Sequence, residues 1–239
     1  MIPRNPALAP AGPRRTLLAA GGAVAAGAAL LTVPAGAGAA AAAAGLVVAV
    51  TLVALRGLDG YPHHRLGACN LVTLLRAGAA GVMTVALTAP EVVVPPMTGW
   101  ALTALALASL SLDGVDGWLA RRSGLASAFG ARFDMEVDAL FALVLALGLL
   151  ATGKAGVWVL ALGVMRYLFV AAAAVLPWLA APLPDRLSRK TVCVVQIAAL
   201  ILMTAPPVAP PLSVAIGAAA TAALVWSFAV DVVWLWRRR

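Results

Sequence analysis

The feature that most constrains this chain is a recurring apolar stretch of bilayer-crossing length. A helix that spans a membrane needs about 20 predominantly apolar residues. Eight stretches of that kind follow one another, at roughly 16–33, 37–55, 70–89, 97–120, 130–152, 156–178, 191–205 and 212–236. Prolines and glycines punctuate them, among them Pro34, Pro95-Pro96, Gly153, Pro182, Pro184 and Pro206-Pro207. None alternates with a period of two, which speaks against a barrel. Of the 239 residues, 63% are hydrophobic and 11% charged. A soluble domain carries about 25% charge, so a water-soluble globular enzyme is excluded. The expected class is an all-α, polytopic helical membrane protein.

Charge sets the expected orientation. Arg4, Arg14 and Arg15 precede the first stretch, and Arg56 and Arg65 follow the second. Arg121, Arg122 and Arg132 lie between the fourth and fifth, Arg186, Arg189 and Lys190 between the sixth and seventh, and Arg237, Arg238 and Arg239 at the end. The intervening turns hold only one basic residue, Lys154, against Glu91. Every second loop is therefore basic and is expected to face the cytoplasm. The net charge of +8 fits anionic headgroups better than nucleic acid. Trp100, Trp158, Trp178, Trp226, Trp234 and Trp236 are expected near helix ends, as interfacial anchors. The Ala/Gly-rich residues 1–56 admit two readings. Arg14-Arg15 before an apolar run resembles a twin-arginine signal. A retained helical hairpin is preferred, because the second stretch also needs a membrane. Residues 57–239 then form the main membrane domain.

Carboxylates are scarce, and five of the nine, four of them aspartates, fall between residues 113 and 138. Asp113 and Asp116 end the fourth stretch, and Asp134 and Asp138 begin the fifth. Spacings of three and four put each pair on one face of its helix, and the short connection lets the two faces meet. An Asp deep in a span costs about 2.5–3.5 kcal/mol, so four argue for a function that repays them. Oxygen-only ligands suit Mg²⁺ or Mn²⁺, and paired ions of this type clamp a phosphate oxygen and a leaving group. Helix capping and ion pairs with the nearby arginines are the bland alternatives. Small residues, Gly117, Ala120 and Gly130, surround the acids and permit close approach. Arg121 lies one turn beyond Gly117, where it suits a phosphate.

Residues 113–138 read D-G-V-D-G-W-L-A-R, eight residues, then G-A-R-F-D-M-E-V-D. This resembles the signature of the CDP-alcohol phosphotransferase (phosphatidyltransferase) family, D-x-x-D-G-x-x-A-R, eight residues, G-x-x-x-D-x-x-x-D, at all eight fixed positions. The family core of six spans would cover about 69–236, with the hairpin outside it, giving about eight spans in all. The resemblance implies that Asp113, Asp116, Asp134 and Asp138 hold metal, with Asp138 also the general base. It implies that Gly117, Ala120, Arg121 and Gly130 line the nucleotide pocket. Asn70-Leu71-Val72-Thr73-Leu74-Leu75-Arg76 is similar to a second family element, P-N-x-x-T-x-x-R. Cys69 stands where proline is common there. Asn70 and Thr73 are the implied nucleotide contacts.

The activity so implied is metal-dependent direct transfer of a phosphatidyl group from CDP-diacylglycerol to an acceptor alcohol, releasing CMP. Two Mg²⁺ or Mn²⁺ ions are the expected cofactors, and the active site is expected toward the cytoplasm of an inner or plasma membrane. A homodimer is the assembly the family suggests. Arg166, an arginine inside the sixth stretch, and Arg186, Arg189 and Lys190 are candidate contacts for an anionic acceptor such as glycerol phosphate, inositol phosphate or a lipid phosphate. The last three also satisfy topology, and Arg166 alternatively forms an internal ion pair. Glu136, between the acids, is expected to face away from them and receives no role. Gln196 and Asp231 are buried-polar candidates without an assigned part. A second donor class, a soluble CDP-alcohol whose phospho-alcohol passes to diacylglycerol, stays open. A transporter would spread its acids through the membrane depth, and a non-catalytic scaffold would carry a broken signature. Neither pattern is present.

Overall fold

The computed structural model describes residues 11–59 and 61–239, without the side chains of 11, 116–118, 120 and 121. All regular structure among the described residues is helical. Eight long helices dominate: α1 (Ala11–Thr32), α2 (Ala37–Gly57), α3 (Ala68–Met83), α4 (Pro96–Ser123), α5 (Ala128–Ala151), α6 (Leu160–Val175), α7 (Leu187–Thr204) and α8 (Leu212–Trp236).

Seven described segments are long and apolar enough to cross a membrane. The eighth long helix, α5, is not among them, although it has 24 residues. Its first half carries Arg132, Asp134, Glu136 and Asp138, and only the part from Ala139 onward is free of charge. The difference from the eight-stretch expectation thus has one cause, the acids themselves. The apolar span of α4 likewise ends at Val115, and the helix runs on to Ser123. Both acid-bearing segments lie where apolar helix gives way to polar helix.

The bundle is organised around α3. Its span is 67% buried, against 17–28% for the other six. It packs against α1, α2, α4 and α5. The sequence Ala77-Gly78-Ala79-Ala80-Gly81 makes this possible, since small side chains let helix backbones approach closely. A Cβ on Gly81 would lie 2.8 Å from the Ala43 carbonyl oxygen of α2, and one on Gly78 would lie 2.5 Å from Val24 Cγ1 of α1. The N-terminal hairpin therefore sits directly against the central helix. Leu17, Ala54, Leu58, Tyr61, Leu66, Leu74, Phe129 and Val137 form one continuous buried cluster joining the hairpin, the 58–67 connector, α3 and α5.

Two ends of the bundle differ in character. At one end Arg14 pairs with Asp59 at 2.5 Å, and Gly57 abuts Phe129. The basic loops gather there. At the other end Lys154 reaches the last carbonyls of α7, donating to Met203, Thr204 and Ala205 oxygens at 3.2, 2.9 and 2.6 Å. A cation at a helix C-terminus complements the helix dipole. Burial pushes the Lys154 ammonium below its ordinary value. Ser213 Oγ donates to the Lys154 carbonyl at 2.6 Å, so one residue ties α5, α7 and α8. Most of the tryptophans lie near helix ends as expected. Trp226 does not. It sits midway along α8, 55% exposed.

Gly81→Val is expected to push α2 away from α3 and to destabilise the fold by about 1–3 kcal/mol, the cost of overpacking. Gly45, also on α2, has open space around it, so Gly45→Ala should leave stability unchanged or slightly raised. Thermal unfolding of the two variants in the same detergent checks the contrast.

Candidate active site

Three helices build the site. α4 brings Asp113, α5 brings Asp134 and Asp138, and α3 brings Asn70, Thr73 and Arg76 at three-residue spacing on one face. The turn between α4 and α5 is short because each end is closed chemically. Gly124 ends α4 in a left-handed conformation (φ +67°), which glycine adopts without steric cost. Ser127 then caps α5, its Oγ accepting from the Gly130 N–H at 3.0 Å; a serine cap satisfies one of the free N–H groups of the first turn.

The acids meet as their spacing predicts, but around a residue given no role from sequence. The Arg76 side chain is 3% exposed. Its Nη1 lies 3.0 Å from Asp113 Oδ1 and 2.5 Å from Asp134 Oδ1, and its Nη2 donates to Asp138 Oδ1. Among the described side chains, one guanidinium stands against three carboxylates. Carboxylate oxygens of Asp113, Asp134 and Asp138 lie within 4.8 Å of one another. Oxygens ligating one Mg²⁺ or Ca²⁺ at 2.0–2.6 Å are at most about 4–5 Å apart. The three acids therefore fit a hard divalent cation in both donor type and spacing. The side chains of Asp116, Gly117, Ala120 and Arg121 lie outside the described residues; the α4 backbone continues through all four.

Asn70 and Thr73 are 1% and 2% exposed. Thr73 Oγ1 donates to the Cys69 carbonyl at 3.1 Å. Asn70 Nδ2 donates to the Tyr61 hydroxyl at 3.4 Å. Gly130 lies against Asn70, since a Cβ there would be 2.9 Å from Asn70 Oδ1. The absence of proline before Asn70 is tolerated locally. Gly67 in extended conformation precedes Ala68, and the Asn70 N–H donates to the Gly67 carbonyl at 3.0 Å. Around this point Tyr61 packs edge-on to Phe129 with ring centroids 5.5 Å apart. Burial pushes the Tyr61 phenol up from its ordinary value. His63 Nε2 lies 3.3 Å from the Ala126 carbonyl oxygen.

The basic candidates form a second group and are paired. Arg166 Nη2 meets Glu136 Oε1 at 2.5 Å. Glu136 does face away from the three acids, yet it has a role after all, as the partner of the intramembrane arginine. Arg186 Nη1 and Arg189 Nη1 hold the two oxygens of Asp231 at 2.8 and 3.4 Å. Asp231 is 4% exposed and is the acid that orders this corner. Lys190 lies 3.7 Å from Asp185, both well exposed. Gln196 Nε2 donates to the Leu162 carbonyl and so joins α7 to α6. Arg76 received no role from sequence, and Asp231 was a buried-polar candidate without an assigned part. Arg76 had a signal, the N-x-x-T-x-x-R spacing that puts it on the face of Asn70. Asp231 had none beyond being an acid in an apolar helix.

Fold and site together define a multi-pass helical membrane protein with an acidic cluster at one end of its bundle that could hold a metal ion. A sequence model of the CDP-alcohol phosphatidyltransferase family matches residues 66–233, and the chain belongs to that family. No curated protein and no solved structure matches it. The match begins after the hairpin and takes in every signature residue. The family places the chain among the transferases that move a substituted phosphate group from a CDP-alcohol.

Arg76→Gln removes the one described cation among the three acids. Breaking such a buried pair costs about 3–5 kcal/mol. The variant is expected to melt well below wild type in EDTA and to recover more stability than wild type on adding Mg²⁺. Melting curves with and without Mg²⁺ measure both.

Proposed function

We propose that this protein transfers a phosphatidyl group from CDP-diacylglycerol to an acceptor alcohol and releases CMP, with its site on the cytoplasmic side of the cell membrane. The observation that carries the reading is the convergence of Asp113, Asp134 and Asp138 within an intact signature. The location of these acids where apolar helix ends supports it too. A lipid donor has its tails in the bilayer and its nucleotide in water, and a site at that level serves both.

Asp113, Asp116, Asp134 and Asp138 are the residues assigned to Mg²⁺ or Mn²⁺. The bound cations, two by family resemblance, supply positive charge to the pyrophosphate and to the leaving CMP. Asn70, Thr73, Gly117, Ala120, Arg121 and Gly130 are assigned to the nucleotide, with Arg121 on a phosphate oxygen. Asp138 takes the proton from the acceptor hydroxyl as that oxygen attacks phosphorus. The bond to phosphorus forms as the bond to CMP breaks, and no covalent enzyme intermediate is required. Arg76 holds Asp138 by a guanidinium bond, which fixes the direction of that carboxylate.

Arg166, Arg186, Arg189 and Lys190 are assigned to the acceptor, and their charge favours an anionic one. The ion pairs with Glu136 and Asp231 fix all three arginines and leave donors over for a phosphate, since a guanidinium has five. The hairpin of residues 1–56 is assigned a supporting part and 57–239 the catalytic one. Transfer of a phospho-alcohol from a soluble CDP-alcohol to diacylglycerol, with release of CMP, is the second reading, favoured by the same acids and disfavoured by the basic acceptor group.

The test is CMP release by the purified full-length protein from CDP-diacylglycerol with a panel of acceptors. An anionic acceptor, Mg²⁺ or Mn²⁺ dependence and loss of turnover in Asp116→Asn are expected. Arg166→Gln should raise the acceptor KM about ten- to a hundredfold, the effect of one charge-assisted hydrogen bond, and leave the donor KM nearly unchanged. Full turnover in EDTA, or preference for an uncharged acceptor such as inositol, would overturn the corresponding assignment.

A further inference from the structure

Asn70 is held from outside its own helix. Its Nδ2 donates to the Tyr61 hydroxyl at 3.4 Å, and that hydroxyl donates to the Arg65 carbonyl at 3.2 Å. A hydroxyl has a single proton. With that proton on Arg65, Tyr61 can only accept from Asn70, so the amide must turn its NH₂ toward Tyr61. Asn70 Oδ1 then faces the start of α5, against Gly130, where a Cβ would lie 2.9 Å away. Reversing the amide would put donors where the acceptor now stands.

Tyr61 is well placed for this duty. It is 5% exposed, with its ring edge-on to Phe129 at 5.5 Å and to His63 at 5.4 Å. The same connector touches the α4–α5 turn twice. His63 meets the Ala126 carbonyl at 3.3 Å, and a Cβ on Gly67 would lie 3.3 Å from Leu125 Cβ. Residues 61–67 thus bridge Asn70 and the turn that separates the two halves of the signature.

We propose that Tyr61 is a positioning residue for the nucleotide subsite, fixing the Asn70 amide so that its oxygen points at the N-terminus of α5 beside Gly130. The inference rests on the assignment of Asn70 to the nucleotide. Tyr61 acts through Asn70 and does not touch the nucleotide.

The experiment uses the full-length protein in nanodiscs with Mg²⁺. Equilibrium binding of radiolabelled CMP and the KM for CDP-diacylglycerol are measured for wild type, Tyr61→Phe, Asn70→Ala and the double variant. Phenylalanine keeps the ring packing and removes only the hydroxyl. Tyr61→Phe should weaken CMP binding and raise the donor KM about two- to tenfold, the effect of one neutral hydrogen bond, with kcat and melting temperature near wild type. Asn70→Ala should weaken binding at least as much, and the double variant no more than Asn70→Ala alone. Unchanged CMP affinity in Tyr61→Phe, or losses that multiply in the double variant, would overturn the positioning role. A change in kcat and melting temperature without a change in CMP affinity would overturn it as well, marking Tyr61 as merely structural. Wild type that binds CMP while Asn70→Ala binds it equally well would refute the nucleotide assignment of Asn70 instead, and the positioning role with it.

Discussion

Arg76 meets Asp113, Asp134 and Asp138 inside a largely apolar bundle. Three carboxylates on two neighbouring helices repel one another, and each is costly in a membrane. A guanidinium between them offsets part of both costs and requires that α3 stand within reach of α4 and α5 at once. That requirement explains the rest of α3. To be surrounded by α1, α2, α4 and α5 it must be thin, and Ala77 to Gly81 make it so. Charge at the site and small residues one turn further on are two parts of one solution.

The bundle is closed differently at its two ends. Away from the acids, Lys154 caps the end of α7, and Ser213 of α8 bonds back to its carbonyl. No acid is needed there, because helix carbonyls supply the negative charge. At the acidic end the helices are held by ion pairs, Arg76 with the three acids, Arg166 with Glu136, and Arg186 and Arg189 with Asp231. Ion pairs leave room for exchange, since a guanidinium can keep its carboxylate and still donate to a phosphate. A site that admits charged substrates and releases charged products benefits from such partners.

Much of this was legible in the chain. The acid pairs follow from spacings of three and four, because helical geometry puts them on one face whatever the tertiary structure. All eight long helices followed from apolar length, α5 included; only the number of segments apolar enough to span differs, because the acids of α5 break its apolar window. What was not legible is what depends on helices far apart in sequence. Arg76 lies on the Asn70 face by spacing alone, but only packing shows that this face meets the acids. Glu136 was set aside because it points away from Asp134 and Asp138, and the same direction is what brings it to Arg166. Asp231 lies 45 residues from Arg186, and no local pattern connects them. Tyr61 carries no local signal, and its burial against Phe129 comes from the fold of the hairpin and connector onto α5.

The central claim is that Asp113, Asp134 and Asp138 hold a divalent cation in the site organised by Arg76. The most direct measurement is anomalous diffraction at the manganese edge from crystals of the protein grown with Mn²⁺. The account predicts a peak bounded by the carboxylates of these three residues, lost in Asp134→Asn. Strong manganese peaks elsewhere in the protein with none between the three acids would contradict it.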